Sequence, residues 1–457
     1  MLSLLDYAIL LLYLLALLIL GFIRSQKAGR SVEEFVVAGR SLSLPAFVAT
    51  LVSTWYGGIL GVGEFSYQFG VSNWLVFGVP YYLYALLFAA FLAHRAWRNR
   101  LLTIPEQLER TYGTKVAMVG ALFVFLVTTP APYVLMLGVL CQMMLGWPLW
   151  IGVLVGTFFS IVYSFRGGFG AVVRTEILQF ILMYAGFVLI LIFAFRLHGG
   201  WSFLKESLPA THLTWHGGNS PQYIIVWYFI AMSTLADPTF YQRCFAARSA
   251  SVARWGIIVS VICWIIFDFM TTTTGLYAAA ILRDLQNPVA AFPELGLKLL
   301  PSIARGIFFV ALLATIMSTI DGFSFMSAVT IGRDLLAKIT HNESAAAVTR
   351  YTRLGLVISF VLAAGIALWA QSVVAIWYQL GTIVTPALML PLVTSFSTRW
   401  RMSPNAALMA MISGALITVG GMIGKVLLDN WPALEPIYPG LLVALLILIV
   451  DRFRRRP

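Results

Sequence analysis

The sequence predicts an all-α, polytopic membrane protein with about 13 transmembrane helices, and three observations support this fold class. Apolar runs of ~20 residues, the length that a helix needs to cross a bilayer, recur along the 457-residue chain. Hydrophobic residues make up 60% of the chain and charged residues only 11%. Lys and Arg are distributed unevenly between alternate loops. Length alone would suggest about three soluble domains, but this composition indicates a single transmembrane domain over residues 1–457.

The thirty Lys and Arg residues also predict an orientation. Alternate loops along the chain lie on the same side of the membrane. Twenty-four of these residues lie in the loops of one side. The loops of the other side hold only Arg196, Lys205, Arg283, Lys298, Arg305 and Lys425. Because Lys and Arg accumulate in cytoplasmic loops, we expect the N-terminus outside and the C-terminus in the cytoplasm. We expect the protein in the plasma (inner) membrane, with the bilayer as a partner. A net charge of +12 alone would suggest a nucleic-acid partner, but the uneven distribution of Lys and Arg between loops indicates membrane orientation instead, so we expect no nucleic-acid partner.

The first span covers residues 4–23 and is followed by Arg24, Lys27 and Arg30, which predicts a retained anchor instead of a cleaved signal. The basic end of the chain, Asp451 to Arg456, predicts a contact with anionic lipid. The remaining predicted spans are 44–70, 74–93, 116–145, 149–165, 172–195, 223–244, 255–282, 306–331, 354–370, 373–396, 405–424 and 437–451.

Two of these spans contain helix-breaking residues at matching places. The second holds Ser53-Thr54-Trp55-Tyr56-Gly57-Gly58, and the seventh holds Ser233-Thr234-Leu235-Ala236-Asp237-Pro238. Spans that lie five apart cross the membrane in opposite directions. The pattern therefore predicts an inverted repeat of five plus five helices. Its core is residues 43–396, with 43–244 forming the first repeat and the start of the second, and the peripheral helices are 4–23, 405–424 and 437–451.

The ninth span carries a polar face inside an otherwise apolar helix. At about 100° per residue, Thr315, Ser318, Thr319, Asp321 and Gly322 fall on one side. Hydroxyl and carboxylate oxygens are ligands that hard cations prefer. The alternative is that small polar residues only hold neighbouring helices together. A carboxylate at this depth costs ~2.5–3.5 kcal/mol or more and therefore needs a partner, a proton or an ion.

Four segments, in order and over nearly the whole chain, resemble the motifs of the sodium:solute symporter family. Residues 34–42 read E-F-V-V-A-G-R-S-L, and residues 167–179 read G-G-F-G-A-V-V-R-T-E-I-L-Q, with Glu where the family has Asp. Residues 237–247 read D-P-T-F-Y-Q-R-C-F-A-A, with Pro where the family has Gln. Residues 314–321 read A-T-I-M-S-T-I-D. The resemblance implies an inverted-repeat fold of the leucine-transporter type.

The resemblance also implies a sodium site. The family binds sodium through hydroxyls of the eighth core helix and main-chain carbonyls where the first core helix unwinds. In this sequence the hydroxyl ligands would be Ser318 and Thr319, and the carbonyl donors would be Thr315, Ser53 and Tyr56. Unwinding frees carbonyls that lipid cannot satisfy and that a cation can.

A second site is implied by Glu176, which occupies the position of an acid that binds another sodium in some family members. Asp321 would point towards it, so the pair would hold a second cation or share a proton. The alternative is that Glu176 forms a gating salt bridge with Arg174 or Arg243. Both interpretations stay open at this stage.

The solute of this fold sits at mid-membrane beside the broken helices. Aromatic residues with few polar groups suit a small organic solute. Two of the acids, Glu64 and Asp268, either favour a cationic or zwitterionic solute or are neutral and hydrogen-bonded. Family members carry sugars, amino acids, carboxylates and vitamins, and the sequence does not choose among these classes. The candidate pocket residues are Trp55, Gly57, Gly58, Glu64, Tyr228, Asp237, Tyr241, Asp268, Trp377 and Gln379.

The predicted function is sodium-coupled symport by alternating access. Na⁺ is the predicted coupling ion, and no organic cofactor or further metal is expected. No nucleotide-binding loop or catalytic triad appears in the sequence, so we expect no enzyme activity. The alternatives are a proton-coupled or uncoupled carrier of the same fold and a non-transporting solute sensor. The sequence contains no indication of oligomeric state.

Overall fold

A computed structural model describes residues 2–22, 31–370, 372–428 and 434–455, and for 22 and 160–167 the backbone alone. Apart from one isolated bridge between Leu42 and Ala247, these residues form helices and the segments that connect them. The all-α class expected from the apolar runs is therefore confirmed.

The first half of the described chain contains eleven α-helices. Their bounds are α1 Leu4–Phe22, α2 Val32–Val37, α3 Leu44–Trp55, α4 Ile59–Phe69, α5 Val79–Phe91, α6 Ala93–Arg98, α7 Ile104–Tyr112, α8 Thr114–Thr128, α9 Ala131–Leu145, α10 Leu149–His198 and α11 Trp201–Ser207. Within α10, Gly168 has a φ of 57°, so the helix is kinked there.

The second half of the described chain contains ten more. Their bounds are α12 Pro221–Ala231, α13 Pro238–Ala246, α14 Ala250–Ile281, α15 Ala291–Leu299, α16 Ala304–Val329, α17 Ala337–Ile339, α18 Ala345–Ala370, α19 Val373–Ser395, α20 Pro404–Leu427 and α21 Ile437–Arg454.

Eleven helical stretches of the described residues are long and apolar enough to cross a membrane. The predicted span at 149–165, which is the first part of α10, and α21 are not among the eleven. The count of thirteen is therefore not confirmed, although each predicted span is helical over most of its length, and the span at 116–145 is divided into α8 and α9. Arg24, Lys27, Arg30 and Arg456 lie outside the described residues.

Both predicted helix interruptions are present. A 3₁₀ turn, Tyr56–Gly58, separates α3 from α4, and a second one, Met232–Ala236, separates α12 from α13. Pro238 begins α13 at a position where its missing N–H breaks no helical hydrogen bond. Two broken helices, five spans apart, are the expected feature of the inverted repeat.

Helix α16 lies at the centre of the molecule. Every residue from Phe308 to Val329 is buried, as expected for a helix that is apolar nearly all round. It packs against α10, α18, α1, α3 and α9. The polar face of α16 is therefore enclosed by protein and cannot be explained by contact with solvent.

The N-terminal helix α1, predicted as peripheral, is fixed to the start of α16 by one carboxylate. Asp6 is fully buried and accepts hydrogen bonds from the main-chain N–H groups of Ile303 and Gly306, each at 3.0 Å. Its other oxygen binds the Arg305 guanidinium at 2.7 Å. These contacts position α16 at one end.

Candidate functional site

The hydroxyls of α16 contact the main chain at the end of α3. Ser318 Oγ donates to the carbonyl oxygen of Ser53 at 2.8 Å, and Thr319 Oγ1 donates to that of Thr54 at 2.6 Å. Ser318 Oγ also lies 2.9 Å from the carbonyl oxygen of Thr315. Five oxygens from two helices thus converge in a region where all five residues are fully buried.

The carbonyls are available because α3 ends at Trp55. The last four carbonyls of a helix have no intrahelical donor, and Ser53 and Thr54 are among the last four residues of α3. The approach of α16 is possible because residue 57 is glycine. A Cβ there would overlap the side chain of Thr319.

The three residues predicted to donate carbonyl oxygens differ in their position relative to the hydroxyl pair. Ser53 and Thr315 lie against the hydroxyl pair, whereas Tyr56 makes its contacts through its side chain. Its ring packs edge-on against Phe267 at 4.5 Å. The Tyr56 carbonyl as a ligand stays a prediction, and the Thr54 carbonyl is an addition that the sequence did not reveal.

A buried ion pair lies beside these oxygens. Arg243 on α13 binds both oxygens of Glu176 on α10 at 3.0 Å, and neither side chain has any exposed surface. Thr54 lies between them, because its hydroxyl donates to Glu176 and accepts from Arg243 at 2.6 Å. Thr54 therefore connects the ion pair to the cluster of carbonyls and hydroxyls.

Of the two interpretations of Glu176, the salt bridge with Arg243 is present in the structure. Arg174 donates to the main-chain carbonyl of Leu20 at 3.2 Å. Asp321 is almost completely buried, and its neighbour Gly322 packs so closely that a Cβ there would lie 3.2 Å from Glu176 Oε1. The face of α16 thus borders the ion pair, and a site shared by Glu176 and Asp321 stays a prediction.

Beside this cluster lies a cavity of about 170 Å³ that is lined by both broken helices. It is smaller than the ~300–1,000 Å³ of pockets for drug-sized ligands, so it suits a small solute. Five of the predicted pocket residues line it, namely Trp55, Gly58, Asp237, Asp268 and Trp377.

The other five predicted pocket residues do not line this cavity. Gly57 packs against Thr319, and Tyr241 donates its hydroxyl to the Leu235 carbonyl at 2.8 Å. The remaining three are either partly buried or exposed elsewhere: Glu64, Tyr228 and Gln379.

Ten of the twenty-one lining residues are aromatic, and contacts between their rings form two walls. In the first wall, Trp55 lies 5.4 Å from Trp264 and 5.6 Å from Tyr81, measured between ring centroids. Trp264 precedes Asp268 by one helical turn on α14, so both side chains reach the cavity from one face of that helix. Trp264 was absent from the predicted set, although its spacing from Asp268 is a sequence signal that could have identified it.

The second wall is built from residues of five different helical segments. Tyr133 lies 5.3 Å from Phe323 and 6.2 Å from Trp377, and Phe77 lies 4.7 Å from Trp227 and 6.4 Å from Trp377. These residues were absent from the predicted set, except for Trp377. Apolar residues that line a cavity have the same sequence pattern as those that face lipid, so only the fold brings them together.

Among the described residues, the cavity lining holds two carboxylates and no Lys, Arg or His. Asp237 caps the N-terminus of α13, where one of its oxygens accepts from the Thr239 N–H at 2.7 Å. Asp268 accepts a hydrogen bond from the Tyr82 hydroxyl. The lining is thus aromatic and acidic.

Two interrupted helices with clustered oxygens at one break and a cavity between them are typical of a membrane transporter of the inverted-repeat class. The chain belongs to the sodium:solute symporter family, whose model matches residues 35–414. It is therefore an integral membrane protein and a sodium-coupled transporter. The membership in this family that the four sequence motifs predicted is therefore confirmed.

The relatives that it matches are transporters. It is 27% identical to the sodium/pantothenate symporter of Escherichia coli, over 94% of this chain and 92% of that protein. It is 24% identical to a sodium/glucose cotransporter of Vibrio parahaemolyticus, over 75% of this chain and 70% of that one. Its fold resembles that of a Na⁺-coupled sialic acid symporter in a substrate-bound, outward-open state, with a TM-score of 0.79 and 16% identity over 99% of this chain and 97% of that one.

Proposed function

We propose that this protein moves a small organic solute across the membrane together with Na⁺, by alternating access. The observation that carries the proposal is the contact of the Ser318 and Thr319 hydroxyls with the Ser53 and Thr54 carbonyls. These oxygens are hard, uncharged and buried at a helix break, and a cation is the natural partner for such a set.

In the proposed mechanism, Na⁺ binds these oxygens with the hydroxyl hydrogens turned away from it. The ion then bridges α16 to the end of α3, and α3 leads directly into Trp55 and Gly58 on the cavity wall. Ion binding therefore favours the arrangement in which the solute cavity is formed. Differential affinity of this kind is what couples two binding events.

The driving force is sufficient for accumulation. One positive charge that moves inward gains ~2.3 kcal/mol per 100 mV of membrane potential. Since about 1.4 kcal/mol corresponds to a tenfold concentration ratio, this supports a gradient of roughly fiftyfold for a neutral solute.

The test is uptake into vesicles that contain the purified protein. External Na⁺ is replaced by K⁺ at fixed pH and fixed membrane potential, and labelled solutes of several classes are offered, including pantothenate and glucose, the solutes of the relatives. We expect at least one solute to accumulate in the vesicles only when an inward Na⁺ gradient is present. Uptake that follows a proton gradient and ignores Na⁺ would show a proton-coupled carrier, and binding without uptake would show a sensor.

We further propose that Glu176 and Asp321 contribute a second cation or proton site. The support is that both are buried, that α16 borders Glu176 at Gly322, and that Arg243 balances one charge of the pair. Glu176→Gln and Asp321→Asn should each change the Na⁺-to-solute stoichiometry or the pH dependence of uptake. If both variants keep the wild-type stoichiometry and pH profile, Glu176 serves only the ion pair with Arg243.

A further inference from the structure

The residues that line the solute cavity indicate which chemical class of solute it binds. Within the described part of the chain, its lining combines ten aromatic residues with two carboxylates and has no Lys, Arg or His. A carboxylate or phosphate ligand would find no opposite charge among these residues and would meet two like charges. The lining therefore selects against ligands with a net negative charge.

The aromatic residues line the cavity in the two groups described above. One wall contains Trp55 and Trp264, and the other contains Tyr133 and Trp377, with centroid separations of 5.4 Å and 6.2 Å within the two walls. The faces of Trp and Tyr rings attract organic cations, and such contacts are strongest where water is excluded. Trp264 is 1% exposed and Tyr133 8%, so much of this surface is desolvated.

The two carboxylates are placed on different elements around this space. Asp268 lies on α14, one turn after Trp264, and Asp237 lies at the break between α12 and α13. Asp237 lines the same cavity as Tyr81 of the first wall and Tyr133 of the second. An ammonium group between the walls would thus have aromatic faces beside it and carboxylates at close range.

A basic side chain near the cavity does not cancel these charges. Arg243 lies on α13, the helix that Asp237 caps, but both oxygens of Glu176 bind its guanidinium at 3.0 Å. Glu176 neutralises Arg243, so the carboxylates of Asp237 and Asp268 determine the charge of the cavity.

We propose that the solute is a small organic ammonium compound, cationic or zwitterionic, whose positive group binds between the aromatic walls beside Asp237 and Asp268. This proposal rests on the proposed function, because it takes the cavity as the solute site. It names a class that differs from the carboxylate and the sugar carried by the two relatives.

The test compares ligands that differ only in charge. Choline is paired with 3,3-dimethylbutan-1-ol, and glycine betaine with 3,3-dimethylbutanoate, since each second compound replaces the quaternary nitrogen by carbon. Binding to the purified full chain in NaCl is measured by calorimetry and by quenching of tryptophan fluorescence. We expect the ammonium member of at least one pair to bind about tenfold more tightly or better.

Variants locate the site. Asp237→Asn retains the ability to cap α13, and Asp268→Asn retains the shape of the side chain. Each should weaken ammonium binding about tenfold or more, whereas Asp284→Asn should not. Asp284 is a matched control because it is exposed in a loop with a φ of 61°, which Asn also adopts. If an Asn variant does not fold, the inference is tested by the binding of each ammonium compound and its carbon isostere to the wild-type protein.

The outcomes separate this inference from the proposed function. If neither ammonium compound binds better than its carbon isostere, the inference is overturned, and Na⁺-driven uptake of glucose or pantothenate would then leave the proposed function standing. If an ammonium compound binds but its uptake ignores Na⁺, the inference stands and the sodium-coupled mechanism fails.

Discussion

The hydroxyl of Ser318 on α16 donates to the main-chain carbonyl oxygen of Ser53 at 2.8 Å, across 265 residues of sequence. Thr319 repeats the contact one residue further along, on Thr54. Two successive hydroxyls are thus aligned with two successive carbonyls at a helix end. This alignment joins the central, buried helix of the protein to the wall of its solute cavity.

The close approach of residue 57 to α16 predicts that Gly57→Ala will disturb the proposed sodium site. A Cβ at residue 57 would overlap the Thr319 side chain, and overpacking of this kind typically costs about 1–3 kcal/mol. We expect the Na⁺ concentration that gives half-maximal uptake to rise about tenfold. Gly365→Ala is the matched control, because no atom of the described residues lies within 4 Å of a Cβ at that helical position. Equal Na⁺ dependence in the two variants would argue against this contact.

The buried pair of Glu176 and Arg243 predicts strong coupling between the two residues. Glu176→Gln or Arg243→Gln alone leaves a buried charge without its partner, which typically destabilises a protein by about 3–5 kcal/mol. The double variant removes both charges and should be more stable than either single variant. Thermal unfolding in detergent measures this, and additive losses would show that the pair does not interact.

The second cavity wall predicts an effect of Gly58→Ala on the solute alone. A Cβ at residue 58 would overlap the indole ring of Trp377 and displace it. We expect the affinity for solute to fall about tenfold while Na⁺ binding stays unchanged, since the displaced ring belongs to the cavity wall and not to the hydroxyl pair. Gly420→Ala is the control, with nothing in the described part of the chain within 4 Å of its Cβ. A parallel loss of Na⁺ binding would contradict the separation of the two sites.

The carboxylate of Asp6 predicts that α1 is an integral part of the core. Asp6→Asn replaces charged hydrogen bonds to Arg305, Ile303 and Gly306, and hydrogen bonds to charged groups are each worth about 1.5–3 kcal/mol. We expect a clear fall in the midpoint of thermal unfolding. Glu206→Gln, an exposed acid on α11, should leave it within error.

Much of the fold followed from patterns that have direct physical causes. Gly57-Gly58 and Asp237-Pro238 predicted the two breaks, because glycine and proline weaken or interrupt the hydrogen bonding of a helix within a span. The spacing of Ser318, Thr319 and Asp321 predicted a common face of α16. Such features depend on local sequence and are visible without the tertiary structure.

The parts that were missed depend on tertiary contacts. The Thr54 carbonyl that accepts from Thr319 is a main-chain group, and no side chain marks such a contact in the sequence. Tyr81 and Phe323 resemble lipid-facing residues in the sequence, and only packing brings them to the cavity. The pairing of Glu176 with Arg243, rather than with Arg174, depended on the tertiary positions of α10 and α13.

Binding of ²²Na⁺ to the purified protein tests the central claim most directly. Wild type is compared with a variant that carries both Ser318→Ala and Thr319→Ala, after thermal unfolding has shown that both are folded. We predict that the variant loses saturable Na⁺ binding and the dependence of solute uptake on external Na⁺. Unchanged Na⁺ affinity together with unchanged Na⁺-driven uptake in the variant would contradict the proposal that these hydroxyls hold the coupling ion.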